Sequence, residues 1–378
     1  MARVAVLHNT LDFRGGADAV CLHTCAALSA VHDVTLFTVS RTDPAVLAAR
    51  FDVDVDVEVV EPPGATLLAG GLAALAPYVG PQLAARSVLL RTFFRRRAAA
   101  YDLAVSTANE LSLPLPSVQY VHVPQFGRVP GESSGRFDPL WRRLAAPTGA
   151  ELDRARLVAN SAWTADAVAA EYGVRPAVTH PPVDPIDGAP WQEREAGIVV
   201  LGRIAPDKRT LEAVAIVDAL RERGYDLHCH VVGSAPTAYR DYVTRVRRAA
   251  AERPYVAVET DASRGRVCAL LGRHRYGLNT KPREHFGMAV AEYVAAGMLP
   301  FAPDGGGQVD VLAGDDRLLF ADREEAVDLL AAAVDDGLEP TLSRDRFGRE
   351  RFADAMREHV HTALATGESQ QHRPRPVD

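Results

Sequence analysis

The sequence predicts an α/β protein made of two doubly wound, parallel-sheet domains. Short apolar runs alternate with amphipathic helical stretches along most of the 378 residues, as expected for parallel strands joined by crossover helices. The alternation breaks around Thr179–Pro190, where His180-Pro181-Pro182-Val183-Asp184-Pro185 and Gly188-Ala189-Pro190 interrupt any regular element. A second series then begins, and the length suits two domains of roughly 100–200 residues each.

In order, Arg3–His8 reads as a strand, Ala17–Ser29 as a helix and Asp33–Val39 as a strand, followed by strands at Asp102–Ser106, Gln119–Val123 and Leu157–Asn160. The second series runs Gly197–Gly202 strand, Thr210–Arg223 helix, Asp226–Gly233 strand, Thr237–Ala251 helix, Tyr255–Thr260 strand and Tyr276–Thr280 strand. The expected division is residues 1–187 and 188–342, with a helix over 343–366 and a polar, disordered tail over 367–378.

Hydrophobic residues make up 47% and charged residues 24% of the chain, which excludes wholesale disorder. The net charge of -7 argues against a dedicated nucleic-acid binder. Only Lys208 and Lys281 of the 42 basic residues are lysine. Met1–Val6 reads as a first strand rather than a signal peptide, and no apolar run stands out as a membrane span, so a cytoplasmic location is expected.

Cys21, Cys25, Cys229 and Cys268 are too few and too scattered to staple the fold, so they read as reduced. Cys21 and Cys25, one helical turn apart, read as a buried helix face. His228 and His230 share one face of a strand, but zinc would need two more ligands and none is offered nearby. Asp52, Asp54 and Asp56 alternate with valines, which reads as the solvated face of a half-exposed strand rather than a metal site. No metal is expected.

Leu67–Arg97 combines apolar residues with Arg91, Arg95, Arg96 and Arg97. It is either an interfacial membrane element or a core helix with a solvated basic end.

Three stretches carry chemistry. Gly15-Gly16 lies between the first strand and its helix, where a phosphate can approach a helix N-terminus; the dinucleotide fingerprint is absent. Arg203 and Lys208 lie between a strand end and a helix start, the crevice where open sheets bind ligands, and can neutralise a diphosphate leaving group. The strongest stretch runs from Glu284 to Gly297. Glu284 lies in a turn and a helix runs from about Gly287 to Ala296, so Phe286, Gly287, Met288, Ala289 and Val290 surround a helix N-terminus suited to phosphate. Glu284 suits sugar hydroxyls, and Glu292, further down the helix, suits a ribose diol.

Glu284-x7-Glu292 with Phe286-Gly287 resembles the signature of retaining, nucleotide-sugar-dependent glycosyltransferases of the GT-B fold, family four. Gly15-Gly16, Gln119-Tyr120-Val121-His122-Val123-Pro124, Gly202-Arg203 with Lys208, and Gly305-Gly306-Gly307-Gln308-Val309-Asp310 resemble further motifs of that family. Asn160-Ser161-Ala162-Trp163-Thr164 and the wording around Glu284 are similar to α-1,2-mannosyltransferases acting on lipid-linked oligosaccharides. Lys281-Pro282-Arg283 departs from that branch.

The resemblance implies two Rossmann-like domains facing a cleft, with the last helix crossing back to the first. It implies a donor such as GDP-mannose or a UDP-sugar, used without a metal, and a glycan or polyprenyl-linked glycan acceptor. Leu67–Arg97 would then offer a contact to an anionic membrane at the inner face of the cell membrane. His122 would touch the donor sugar, Glu284 orient it, Arg203 and Lys208 hold the diphosphate, and Glu292 hold the ribose. An epimerase or hydrolase using the same donor, or a non-catalytic sugar-nucleotide or lipid binder, are the alternative readings.

Overall fold

A computed structural model describes residues 1–79, 83–127 and 138–371. The chain forms two compact units, Met1–Pro182 together with the segment from Arg349 onward, and Val183–Gly348. The division thus falls at 182/183, five residues before the expected 187/188.

The first unit holds a seven-stranded sheet of β1 (Arg3–His8), β2 (Asp33–Thr38), β3 (Glu58–Val60), β4 (Leu103–Ser106), β5 (Ser117–Val121), β6 (Ala155–Ala159) and β7 (Ala177–Val178). The order is β3-β2-β1-β4-β5-β6-β7 and every pairing is parallel. The second unit holds β8 (Glu195–Leu201), β9 (His228–Gly233), β10 (Val256–Thr260), β11 (His274–Leu278), β12 (Leu299–Pro303) and β13 (Leu319–Phe320), in the order β10-β9-β8-β11-β12-β13, again all parallel. Each order reverses direction once, between β1 and β4 and between β8 and β11, and such reversal points are where open α/β sheets bind ligands.

The period-two alternation of the strands builds a core on each face. In the first sheet Val4, Val6, Leu103, Val105 and Tyr120 face one side, packed with Leu22, Leu28, Phe352, Met356 and Val360. Ala5, Leu7, Phe37 and Ala104 face the other, packed with Leu90 and Phe94. In the second sheet Ile198 and Val200 join the larger core, while Val199 packs with Leu271 and Tyr293 on the opposite face.

The last helix, Arg349–Gln371, belongs to the first unit and packs on β4–β6 and on the helix Gly16–Ser29. It starts six residues later than the expected 343. The Ser343 hydroxyl bonds the Asp345 carboxylate, and Gly348 N–H bonds Asp345 O at 3.1 Å, so a local turn takes the place of the first helical turns. The helix also runs through residues 367–371, which the sequence marked as tail; residues 372–378 lie outside the described residues.

The expected strand over Asp52–Val59 shrinks to Glu58–Val60. Asp52 closes the helix Pro44–Phe51 in the left-handed conformation, at φ 53°. The alternation survives without the ladder: Asp52, Asp54 and Asp56 are exposed, while Val53 is buried and Val55 and Val57 pack against the core.

Leu67–Arg97 is covered by two helices, Ala65–Val79 and Leu83–Arg95; residues 80–82 lie outside the described residues. The second helix gives Leu90 and Phe94 to the core, with Phe94 edge-on to Phe37 at 5.2 Å. Arg86 points inward and donates to Val39 O and Thr10 Oγ1, both at 2.9 Å. Arg95, Arg96 and Arg97 are exposed, as are Leu67 and Leu68 on the first helix. Among the described residues no helix is long and apolar enough to cross a membrane.

Candidate functional site

In the second unit the chemistry gathers at the C-terminal ends of β8 and β11. Beyond β8, Gly202 adopts φ +148°, and a side chain on Gly233 at the end of β9 would lie 1.7 Å from Gly202 O. The backbone is therefore closed tightly where β8 and β9 end. Arg203 follows, half exposed, bonded to Asp207 at 3.1 Å and set over the Tyr239 ring. Lys208 ends the short turn Pro206–Lys208. The Thr280 hydroxyl, just past β11, donates to Lys208 O at 2.8 Å and ties that turn to β11.

Lys208 Nζ donates to Glu284 Oε1 at 2.5 Å, and Lys281 Nζ lies 3.5 Å from Glu284 Oε2. The only two lysines of the chain thus converge on one carboxylate. Burial alone would raise the Glu284 pKa, but the two ammonium groups outweigh it and hold the carboxyl below the usual range. The sequence offered no role for Lys281, because its reach to Glu284 depends on the shape of the intervening turn.

That turn is clamped by the glycine loop that follows β12. Gly307 N–H donates to Glu284 O at 2.7 Å, and Gly306 forms a parallel bridge with Glu284. Gly306 has φ +74°, and a Cβ there would lie 2.3 Å from Glu284 O. Gln308, fully buried, accepts from Asn279 Nδ2 at 2.6 Å and donates to Pro303 O at 2.7 Å.

The helix Met288–Ala295 starts after Gly287, at φ +106°. The first-turn N–H groups of Met288, Ala289 and Val290 have no carbonyl to bond within the helix. Phe286 is buried against Phe347, with ring centroids 5.4 Å apart. Glu292 is bonded by Arg264, a partner 28 positions away that no local motif announces. Tyr293 was also missed. Its ring fills the space above Gly277, and its hydroxyl accepts from Leu201 N–H at 2.7 Å and reaches Leu278 O at 3.3 Å. It bridges β8 and β11 where their ladder ends.

In the first unit a chain of hydrogen bonds joins the glycine loop to His122, which lies one residue past β5 rather than within a strand. Gly15 N–H donates to Asp18 Oδ2 at 3.1 Å, and Asp18 Oδ1 is 3.1 Å from His8 Nε2. His8 Nδ1 is 3.0 Å from Thr107 Oγ1, and Thr107 O is 3.1 Å from His122 Nε2. Asn109 Oδ1 accepts from both His122 N–H and Val123 N–H, at 2.7 and 3.1 Å. Burial opposes a charge on His8, but the adjacent Cys21 sulfur and the Asp18 carboxylate prevail, and its pKa is pushed up to about 10. A charged ring can donate from both nitrogens, to Asp18 Oδ1 and to Thr107 Oγ1. Gly16 opens the helix Gly16–Ser29, whose Cys21 and Cys25 are buried and free.

Residues 187–352 match the family described as glycosyl transferases group 1, which spans nearly all of the second unit. By that match the second unit is a glycosyltransferase domain. No curated protein matches it in sequence. Its fold is GT-B, as in several solved glycosyltransferases. It is similar to Anabaena HepE in complex with UDP-glucose, with a TM-score of 0.67 at 16% identity over 96% of this chain and 100% of that one. WaaG, a glycosyltransferase involved in lipopolysaccharide biosynthesis, has a TM-score of 0.64 at 14% identity, over 97% of this chain and 98% of that one. Sucrose-phosphate synthase from Thermosynechococcus elongatus has a TM-score of 0.61 at 14% identity, over 98% of both chains.

One expectation for this glycosyltransferase needs correcting. His228 and His230 do have further metal-type ligands nearby. His274 at the start of β11 brings a third imidazole, and the ligand atoms of the three lie within 4.8 Å of one another. Glu195 Oε2 lies 3.5 Å from His228 Nε2 and 3.4 Å from His274 Nε2. The separation in sequence hid this grouping, since β8, β9 and β11 become neighbours only when the sheet forms.

Proposed function

We propose that this glycosyltransferase moves a hexose from a nucleoside diphosphate sugar to a glycan or lipid-linked glycan, with retention at the anomeric carbon. The observation that carries the reading is the convergence of Lys208 and Lys281 on Glu284 beside the first turn of Met288–Ala295, at the reversal point of the second sheet. Cations and unpaired N–H groups there suit a diphosphate on which negative charge grows as the bond to the sugar breaks.

Arg203, Lys208 and the N–H groups of Met288, Ala289 and Val290 hold the diphosphate, with Gly287 giving the phosphates close access to the backbone. Glu284 orients the sugar through its hydroxyls, and Glu292 takes the ribose diol, exchanging its bond to Arg264. His122 touches the transferred sugar, and Gly15 and Gly16 border the substrate in the first unit. The acceptor hydroxyl attacks carbon from the face the diphosphate leaves, and a diphosphate oxygen takes its proton. This route gives retention and calls on no metal.

UDP-glucose in the HepE complex makes UDP-sugars the first donors to test, with GDP-mannose second on motif wording. A polyprenyl-linked acceptor is favoured by exposed Leu67 and Leu68 and by exposed Arg95, Arg96 and Arg97, features suited to an anionic membrane surface.

A donor panel read by thermal shift and by release of nucleoside diphosphate tests the proposal, since a ligand of the folded state must stabilise it. One donor should raise Tm and, with a glycan acceptor, turn over with retention. Rapid epimerisation or hydrolysis of the donor alone would favour the rival enzyme reading. Stabilisation by no nucleoside diphosphate sugar would overturn the proposal.

A further inference from the structure

The donor crevice lies at the C-terminal ends of β8 and β11. At the opposite, N-terminal edge of the same sheet, Glu195, His228 and His274 are the first residues of β8, β9 and β11, three adjacent strands. His230 lies two residues into β9, on the same face as His228. None of these residues takes part in the transfer reaction described above.

The spacing fits a metal. Zinc binds imidazole nitrogen and carboxylate oxygen at about 2.0–2.2 Å in tetrahedral geometry, so its ligand atoms lie about 3.3 Å apart. His228 Nε2 is 3.0 Å from His274 Nε2. Glu195 Oε2 is 3.5 Å from the first and 3.4 Å from the second. These three atoms outline one face of such a tetrahedron. A ligating nitrogen of His230 lies within 4.8 Å of those of the other two imidazoles.

The surroundings hold these ligands in ligating form. His274 Nδ1 bonds Leu270 O at 2.7 Å, which puts its proton on Nδ1 and leaves the Nε2 lone pair facing His228. Arg273 Nε donates to Glu195 Oε1 at 2.6 Å and leaves Oε2 turned to the histidines. Gly197 on β8 makes the space: a Cβ there would lie 2.4 Å from His228 Nε2 and 2.6 Å from His274 Cδ2. His230 Nδ1 is buried and makes no hydrogen bond, with Glu259 Oε1 at 3.4 Å.

We propose that Glu195, His228, His230 and His274 form a binding site for a borderline divalent cation of the zinc type, which clips three strands of the second unit together. Three imidazoles and one carboxylate suit zinc, cobalt or nickel; magnesium and calcium prefer all-oxygen sets.

The test is a titration of the full chain after dialysis against chelator, with zinc, cobalt and magnesium. Zinc should bind at one equivalent per chain, and at a hundredfold excess over Kd should raise Tm by about 5–10 °C. Cobalt should give the intense visible bands of a tetrahedral site, and magnesium should do neither. His228→Ala and His230→Ala should each abolish the cobalt spectrum and the zinc-dependent rise. X-ray absorption of the zinc-loaded wild type gives a readout that needs no variant, and should show imidazole scattering with only nitrogen and oxygen ligands. No stoichiometric zinc binding, binding that survives both variants, or sulfur ligation would each overturn the proposal.

Discussion

Replacing Lys208 by methionine is the sharpest test of the donor site. The side chain keeps its length and loses its charge. In the free protein Lys208 Nζ is 2.5 Å from Glu284 Oε1, while Lys281 Nζ is 3.5 Å from the other oxygen. If Lys208 also holds the leaving diphosphate, its loss removes one preorganised donor, worth about 2.7–4 kcal/mol of transition-state stabilisation, or roughly 100- to 1,000-fold in kcat. Stability changes less. A buried carboxylate stripped of one charged partner costs about 3–5 kcal/mol when nothing remains, but Lys281 stays, so about 2 kcal/mol is expected. The acid limb moves as well. The Glu284 pKa is depressed, so its contribution to stability is present above the ordinary carboxyl range and is lost as pH falls through the folded value. In Lys208→Met the folded value moves back up, and acid unfolding begins at higher pH. The assay is steady-state release of nucleoside diphosphate at saturating donor and acceptor, paired with Tm from pH 3 to 7. Turnover within threefold of wild type would refute the leaving-group role. An unchanged acid limb would refute the electrostatic coupling to Glu284.

Lys281→Met, with its longer reach to Glu284, should lower kcat by about tenfold, less than Lys208→Met in the same assay. Tyr293→Phe strands Leu201 N–H and loses the contact to Leu278 O, which should cost about 1–3 kcal/mol in urea denaturation. Gly306→Ala drives a methyl group against Glu284 O at a positive φ, so it should cost about 1–3 kcal/mol and lower kcat more than Km rises. His8 has a folded pKa of about 10 against an ordinary 6.5, so its stabilisation is complete below pH 6.5 and is lost as pH rises to 10. Denaturant midpoints should fall over that interval in wild type and stay flatter in Asp18→Asn.

Most of the central strands and the turn before Met288 could be read from local pattern alone. Alternating valines mark strand faces, and Gly287 before a helical run marks a helix start. Pattern did well even where pairing did not follow, since Asp52, Asp54 and Asp56 face solvent without forming a strand. Illegible features depended on distance in sequence. Arg264 finds Glu292, and His274 finds His228, only after the chain between them has folded and brought their elements side by side. Arg86 looked like part of a basic, amphipathic stretch, yet its guanidinium is buried among Thr10 and Val39 because the loops after β1 and β2 close over it. The helix expected at Ser343 starts late for a local reason, since a serine–aspartate turn competed with helical bonding.

The return of Arg349–Gln371 to the first sheet bears on how the chain acquires its structure during synthesis. Phe352, Met356, Val360 and Ala363 complete a core whose other buried members all precede residue 159. At about 5–20 residues per second, the whole of Val183–Gly348 must emerge first, a delay on the order of 10–30 s. Throughout that delay the apolar side of β4, β5 and β6 lacks its cover, while the continuous second unit has everything it needs to fold. A nascent chain halted near residue 348 would therefore hold one finished body and one sticky, unfinished one, open to chaperone capture or aggregation.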